Sequence, residues 1–350
     1  MSCRGRSPRP RPRPGVTPAS TRPPDHYAIV VGIDRYPALT DLHAACRDAD
    51  AFQQWLTDPA GGAVPSGNMR LRLGREAADA RSAAPKKWEI DADLDDLVCS
   101  VRERPATGTT TRLYLYFAGH GIAAGTGSAA WLMADAKQNM FTNVALAPYQ
   151  SWLDRCRDFD EVIIVSDCCR SIMTKVPEAP QPHTLCDEPA RREQRVFLAH
   201  AADLGHLAFE ARTPGDESRG HLTRALLEGL NGAAAEPWTG DVCATGLAEH
   251  IRARVRELSK GGQRAQLTFD DRIVFCGRST TIHVVQIDLH DSAERRSVRV
   301  LNGDRVVATD VRRGGTWELC LPDGNYELLD TASATVVRFA IAGAPQRVTA

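Results

Sequence analysis

The chain has 350 residues, of which 43% are hydrophobic and 25% charged, with a formal net charge of −1. That balance is ordinary for a soluble globular protein with room for one large domain and a small one, and it gives no general argument for nucleic-acid or membrane binding. No run of about 18 apolar residues occurs and no apolar leader opens the chain, so neither a membrane span nor a secretory signal is expected. Ten cysteines are scattered without a CxxC pair. This pattern predicts free thiols in a reducing cytoplasm rather than a zinc site or a disulfide framework.

In chain order, residues 1–24 are rich in Arg and Pro with almost nothing apolar. Such a segment cannot bury enough surface to offset its ordering entropy and is expected to be a disordered tail. "HYAIVVGID" then reads as a buried strand. "DLHAACRDADAFQQWL" places Leu42, Ala45, Cys46, Ala49, Phe52 and Leu56 on one helical face, with Thr40 or Asp41 as its N-cap. "NMRLRL" alternates like a strand near a sheet edge. "KKWEIDADLDDLVCSVRE" is a helix with Ile90, Leu94, Leu97, Val98 and Val101 inward. "TRLYLYFAG", "EVIIVSD" and "RVFLAHAA" are further strands. "LAPYQSWLDRCRDF", "HLTRALLEGL" and "GLAEHIRARVREL" are further helices. Apolar strands alternating with amphipathic helices predict an α/β fold, a mainly parallel sheet with helices on both faces, over residues 25–278. From 279 to 350 the period changes to short alternating segments separated by turn residues such as "NGD" and "PDGN". A small all-β sandwich is expected there.

In open parallel sheets functional groups gather beyond the carboxyl ends of the strands. Two strands end on reactive chemistry: "LYLYFAGHG" carries His120, and "VIIVSDCCRS" carries Cys168 and Cys169. If these strands are neighbours, an imidazole faces a thiol, which is the pairing of a nucleophile with its base. Gly121 has no side chain, so its N–H can approach a substrate carbonyl. With the N–H of the nucleophilic cysteine it would form an oxyanion hole.

The segments "YAIVVGIDRYPAL…ACRDADAF", "LYFAGHG" and "VIIVSDCCRS" resemble the anchor segments of the caspase-like cysteine peptidases, caspases and metacaspases among them. The resemblance extends through "RVFLAHAADLGHLAFEA" and "HLTRALLEGL". The histidine and cysteine are separated by about 50 residues, as in caspases. It implies a thiol endopeptidase acting on proteins or peptides, with Cys169 as nucleophile, His120 as its base and Cys168 as a spacer. Where caspases place a Gln before the nucleophile this chain has Asp167, and the caspase pocket Arg aligns with Leu42. Asp48 matches the metacaspase carboxylate of G-C-x-x-D-A, although Ala45 and Ala118 replace two of that family's polar pocket residues. Two carboxylates at Asp48 and Asp167 predict a primary pocket for Arg or Lys.

The long Pro-rich, charged segment after Cys169 resembles the processed region of such enzymes. Arg191, Arg192 and Arg195 are its expected cleavage points, by the chain itself or by an activating protease. "EIDADLDDL" lacks the Gly and Glu of an EF-hand, so the calcium that many metacaspases need is not supported by a motif, and no cofactor or metal is expected. His200 and His206 lack the spacing of a zinc helix and read as strand-end or core histidines. Two alternatives stand beside the peptidase: a catalytically silent interaction module of the same fold, and another thiol acyl-transfer enzyme on the same scaffold.

Overall fold

The structure is a computed structural model that describes residues 25–104, 108–124, 128–173, 193–208, 219–236, 239–277, 282–302, 305–322, 324–330, 335–341 and 346–349. The tail expected over residues 1–24 and the domain boundary expected at 278/279 lie outside the described residues.

The first elements are β1 (Asp25–Ile33), α1 (Ala45–Thr57), β2 (Met69–Gly74), α2 (Lys87–Arg102) and β3 (Thr111–Ala118). A small group follows: β4 (Gly121–Ala124), β5 (Ser128–Leu132), β6 (Asn143–Ala145) and α3 (Leu146–Cys156). Next come β7 (Glu161–Asp167), β8 (Ser171–Met173), β9 (Arg195–His200), α4 (His221–Glu228), β10 (Asp241–Cys243), α5 (Ala244–Leu258), β11 (Gln266–Phe269) and β12 (Val274–Gly277).

Six strands form the main sheet in the order β11-β9-β7-β3-β1-β2, with β2 at the edge as its polar alternation predicts. All pairs are parallel except β11 with β9. β7 is buried at every position, as a strand covered on both faces must be. Odd positions of β1, Tyr27, Ile29, Val31 and Ile33, pack with α2 and α3 on one face. Even positions Ala28 and Val30 pack with α1, α4 and α5 on the other. The period-2 geometry of a strand thus divides one apolar run between two cores. A second sheet, β6-β5-β4-β8, was not expected from the sequence. It grows from the chain that leaves β3 and β7, so it lies at their carboxyl ends.

The last seven strands are β13 (Ile282–Leu289), β14 (Arg296–Asn302), β15 (Arg305–Arg312), β16 (Gly315–Pro322), β17 (Gly324–Asp330), β18 (Thr335–Ile341) and β19 (Gln346–Thr349). They form a three-stranded sheet, β16-β13-β19, and a four-stranded sheet, β15-β14-β17-β18. Val285, Ile287 and Trp317 of the first share one core with Val298, Tyr326 and Leu328 of the second. Among the described residues no helix is long and apolar enough to cross a membrane.

The expectation of free thiols holds for Cys46, Cys99, Cys168, Cys169, Cys243 and Cys276. It fails at Cys156, which is disulfide-bonded. The lack of a CxxC spacing excluded only local pairs.

Candidate active site

β3 and β7 are neighbours in parallel register, and their last pair is Ala118 with Asp167. The Gly119 N–H continues the ladder by donating to the Asp167 carbonyl at 3.4 Å. His120 and Cys169 therefore leave the sheet side by side. Both line one small cavity of about 90 Å³, together with Asp48, Asp167, Ala208 and Gly220.

His120 is held on several sides. Its Nε2 lies 2.6 Å from the Thr40 carbonyl oxygen, which can only accept. The proton is therefore on Nε2, and Nδ1 of the neutral ring is left as the basic nitrogen. The His120 main-chain N–H donates to the Tyr36 hydroxyl at 2.9 Å, and the two rings stand 4.7 Å apart at 56°. No carboxylate for orienting this histidine could be assigned from the sequence, and Thr40 was expected only as an N-cap alternative. The structure gives the orienting role to the Thr40 main chain, which carries no side-chain signal. Neither Thr40 nor Asp41 caps α1. Asp41 accepts the Tyr36 N–H at 3.1 Å, and Asp34 accepts the Cys46 N–H at 3.2 Å in the first turn of the helix.

The two adjacent cysteines differ. Cys168 is 2% exposed, and burial pushes its thiol well above the ordinary range, with the neighbouring Cys169 and Asp167 adding to the effect. A thiol so held stays protonated and is a poor nucleophile. Cys169 is partly exposed, and the Ala208 N–H lies 3.3 Å from its sulfur. The Ala208 segment is fixed by the main chain of Arg170, whose N–H donates to His206 O at 3.0 Å and whose O accepts from Gly205 N–H at 2.8 Å.

The flanking glycines serve packing. A Cβ on Gly121 would collide with the Cys168 sulfur and lie 2.7 Å from the Cys169 carbonyl oxygen. One on Gly119 would lie 2.6 Å from the Tyr36 hydroxyl. Close approach of protein to protein thus requires both positions to lack a side chain.

Asp48 and Asp167 are brought together from α1 and β7, 1% and 8% exposed. Both meet the start of α4. Asp48 accepts the Gly220 N–H at 2.7 Å. Asp167 accepts the Thr223 N–H at 3.0 Å and the Thr223 hydroxyl at 2.6 Å. A Cβ on Gly220 would collide with Asp167 Oδ2 and lie 3.1 Å from Asp48 Oδ2. The Thr223 hydroxyl spends its proton on Asp167, so at 2.6 Å it accepts from Tyr116. Burial, then the charges of Asp48 and Asp167, hold the Tyr116 hydroxyl far above its usual pKa, so it remains a donor. Gly220 and Thr223 were missed as site residues; nothing local in "RGHLTRALLEGL" marks them.

Among the processing candidates, Arg191 and Arg192 lie outside the described residues. Arg195 departs from expectation. It opens β9 rather than lying in a loop, its N–H donates to Asp160 O at 2.9 Å, and its guanidinium pairs with Glu161 at 2.7 Å. Cleavage there would require a central strand to leave the sheet. Arg170, which follows Cys169, is 7% exposed and bonded to Gln266. The acidic run on α2 is tied down as well. Asp93 is buried and held bidentately by Arg72 at 2.7 and 2.8 Å. No group of three or more His, Cys, Asp or Glu among the described residues could hold a metal ion. His200 closes β9 in the core, and His206 is exposed on the segment after it.

A parallel sheet with helices on both faces, carrying an imidazole and a thiol beyond adjacent strands, defines an α/β protein of the caspase type. The family model for the caspase domain of the C14 peptidases matches residues 25–272, and the chain belongs to that family. It is 29% identical over 236 residues to a probable protease of a Desulfuromonadales bacterium, a match that covers 61% of this chain and 27% of that protein. The chain thus spans about a quarter of the length of that relative. Among solved structures, caspase-1 from Spodoptera frugiperda aligns with a TM-score of 0.44 at 12% identity, covering 74% of this chain and 92% of that one. A Geobacter sulfurreducens protein aligns with a TM-score of 0.43 at 12% identity, covering 70% and 93%.

Proposed function

We propose that the chain is a cysteine endopeptidase that cleaves proteins or peptides after Arg or Lys. The observation that carries this reading is the single cavity shared by His120, Cys169, Asp48 and Asp167. The Nδ1 of His120 takes the Cys169 proton, and the sulfur attacks the scissile carbonyl carbon. The main-chain N–H groups of Gly121 and Cys169 hold the oxygen that becomes negative; losing one such donor costs about 3 kcal/mol of transition-state stabilisation. The imidazolium then returns its proton to the leaving amine. A water deprotonated by the same ring hydrolyses the thioester.

The primary pocket takes a basic side chain because the carboxylates converge on Gly220 at its floor. Their orientation is fixed before substrate arrives by the α4 amides and by Thr223. A guanidinium or ammonium placed there forms charge-assisted hydrogen bonds, whereas an acidic side chain meets like charge. Activation by cleavage at Arg191 or Arg192, by this chain or another protease, completes the reading. Uncleavable variants at those two positions are expected to remain full length and to lose activity.

Labelling with an arginyl chloromethyl ketone tests the site as a whole. The label is expected on Cys169, with Cys168 unmodified, and to be lost in Asp48→Asn. Labelling of Cys168, or equal labelling by an aspartyl reagent, would overturn the assignment.

A further inference from the structure

The strand that carries His120 has an irregularity with a definite cause. β4 and β5 are antiparallel, with Gly121 opposite Trp131, so His120 stands opposite Leu132. Leu132 donates its N–H to His120 O at 2.9 Å. In an uninterrupted ladder such a pair exchanges two bonds, and His120 N–H would donate to Leu132 O. Here the Tyr36 hydroxyl stands between them. It accepts the His120 N–H at 2.9 Å and donates to Leu132 O at 3.2 Å.

We propose that Tyr36 is a positioning residue for the reaction: its hydroxyl, inserted between His120 and Leu132 at the end of the β4–β5 ladder, fixes the chain at His120 and so sets where the imidazole stands relative to Cys169. The inference rests on the Cys169–His120 reading above. Three further observations support the device. Tyr36 is 1% exposed and comes from the turn after β1, so its hydroxyl is placed by elements outside the pair it separates. Gly119 leaves room for that hydroxyl, since a Cβ there would lie 2.6 Å from its oxygen. The Tyr36 ring also lies against the imidazole that Thr40 O holds from the other edge. Backbone and ring of His120 are thus fixed by one short turn, residues 36–40. Burial holds the hydroxyl's pKa well above the ordinary tyrosine value, so it stays a donor to Leu132 O near neutral pH.

Tyr36→Phe keeps the ring and removes the bridge. His120 N–H can then close directly on Leu132 O, and the imidazole follows the backbone away from the thiol. A misplacement of about 1 Å costs about 100-fold in rate. The expected result is a 10- to 100-fold fall in kcat with KM changed less than twofold and thermal stability retained. The distinguishing readout is the pH profile of Cys169 alkylation by iodoacetamide, followed on the Cys169 peptide by mass spectrometry. Wild type is expected to react in mildly acidic solution, and His120→Ala only near the ordinary thiol pKa of about 8.5. Tyr36→Phe is expected to shift from the first profile toward the second. Gly119→Ala, which crowds the same hydroxyl from the other side, is expected to reproduce the shift. Wild-type kcat and an unshifted profile in Tyr36→Phe would overturn the proposal. Identical profiles in wild type and His120→Ala would instead overturn the Cys–His reading beneath it.

Discussion

The two ends of the main sheet hold their buried carboxylates in different settings. At the amino ends of β3, β7 and β9, Arg112 and Glu161 are both almost fully buried and pair with each other, and Arg195 pairs with the second oxygen of Glu161. Arg112 also donates to the Tyr114 hydroxyl and the Val274 carbonyl. At the carboxyl ends of β3 and β7, the described partners of Asp48 and Asp167 are main-chain amides and one hydroxyl, and the carboxylates border a cavity. Charge at one end is matched by countercharge and closed over with chain. At the other end, main-chain amides and a hydroxyl orient the carboxylates, which border a cavity. The first arrangement serves the fold, and the second is the one that the proposed preference for Arg or Lys draws on.

Breaking the comparison at each end should therefore move different quantities. The largest effect is expected for Cys169→Ala, a loss of at least about 10⁴-fold in kcat with an unchanged melting temperature. Asp48→Asn should lower kcat/KM for an arginyl peptide by about 100-fold, mainly through substrate affinity, since truncating one partner of a buried charge contact costs about 2–5 kcal/mol. Arg112→Met at the opposite end should do the reverse. It leaves Glu161 buried with half its countercharge and should destabilise the protein by about 3 kcal/mol in chemical denaturation, with kcat kept within about twofold. Equal loss of activity in Arg112→Met and Asp48→Asn would dissolve the contrast.

The smallest expected effect belongs to both ends. Burial, then the charge of Arg112, lowers the pKa of His26 to about 4. Burial, then Arg170, lowers that of His200 to about 3. Both folded values lie below the unfolded value of about 6.5, so the unfolded chain binds protons first as pH falls. The stability held above pH 6.5 should therefore decline on acidification toward pH 4 for His26 and toward pH 3 for His200. His200→Phe should flatten part of the dependence of melting temperature on pH in that window.

Much of the sheet was legible in the sequence because β1, β3, β7 and β9 are apolar runs bounded by turn residues and β2 alternates; β11, four residues long, was not read. The convergence of His120, Cys169, Asp48 and Asp167 on one cavity was legible because they lie on or just beyond β3 and β7 and on α1. Features built by the main chain were not. Thr40 acts through its carbonyl, Ala208 and Gly220 through their amides, and side-chain chemistry records none of this. Tyr36 stood in plain view in "GIDRYP", but its hydroxyl has meaning only once β1 is beside β3. β4, β5 and β6 were missed because they are three to five residues long, too short for a period to declare itself. The helix expected from Asp41 begins at Ala45 because Asp34, across the turn, supplies the acceptor that local reading sought at Thr40 or Asp41.

The most direct test of the central claim is turnover of two peptides identical except for Arg or Asp before the scissile bond, by wild-type protein and by Cys169→Ala. Cleavage of the arginyl peptide by the wild type is expected, with no cleavage of the aspartyl one and none of either by the variant. Preference for the aspartyl peptide, or turnover that survives loss of sulfur 169, would contradict the claim.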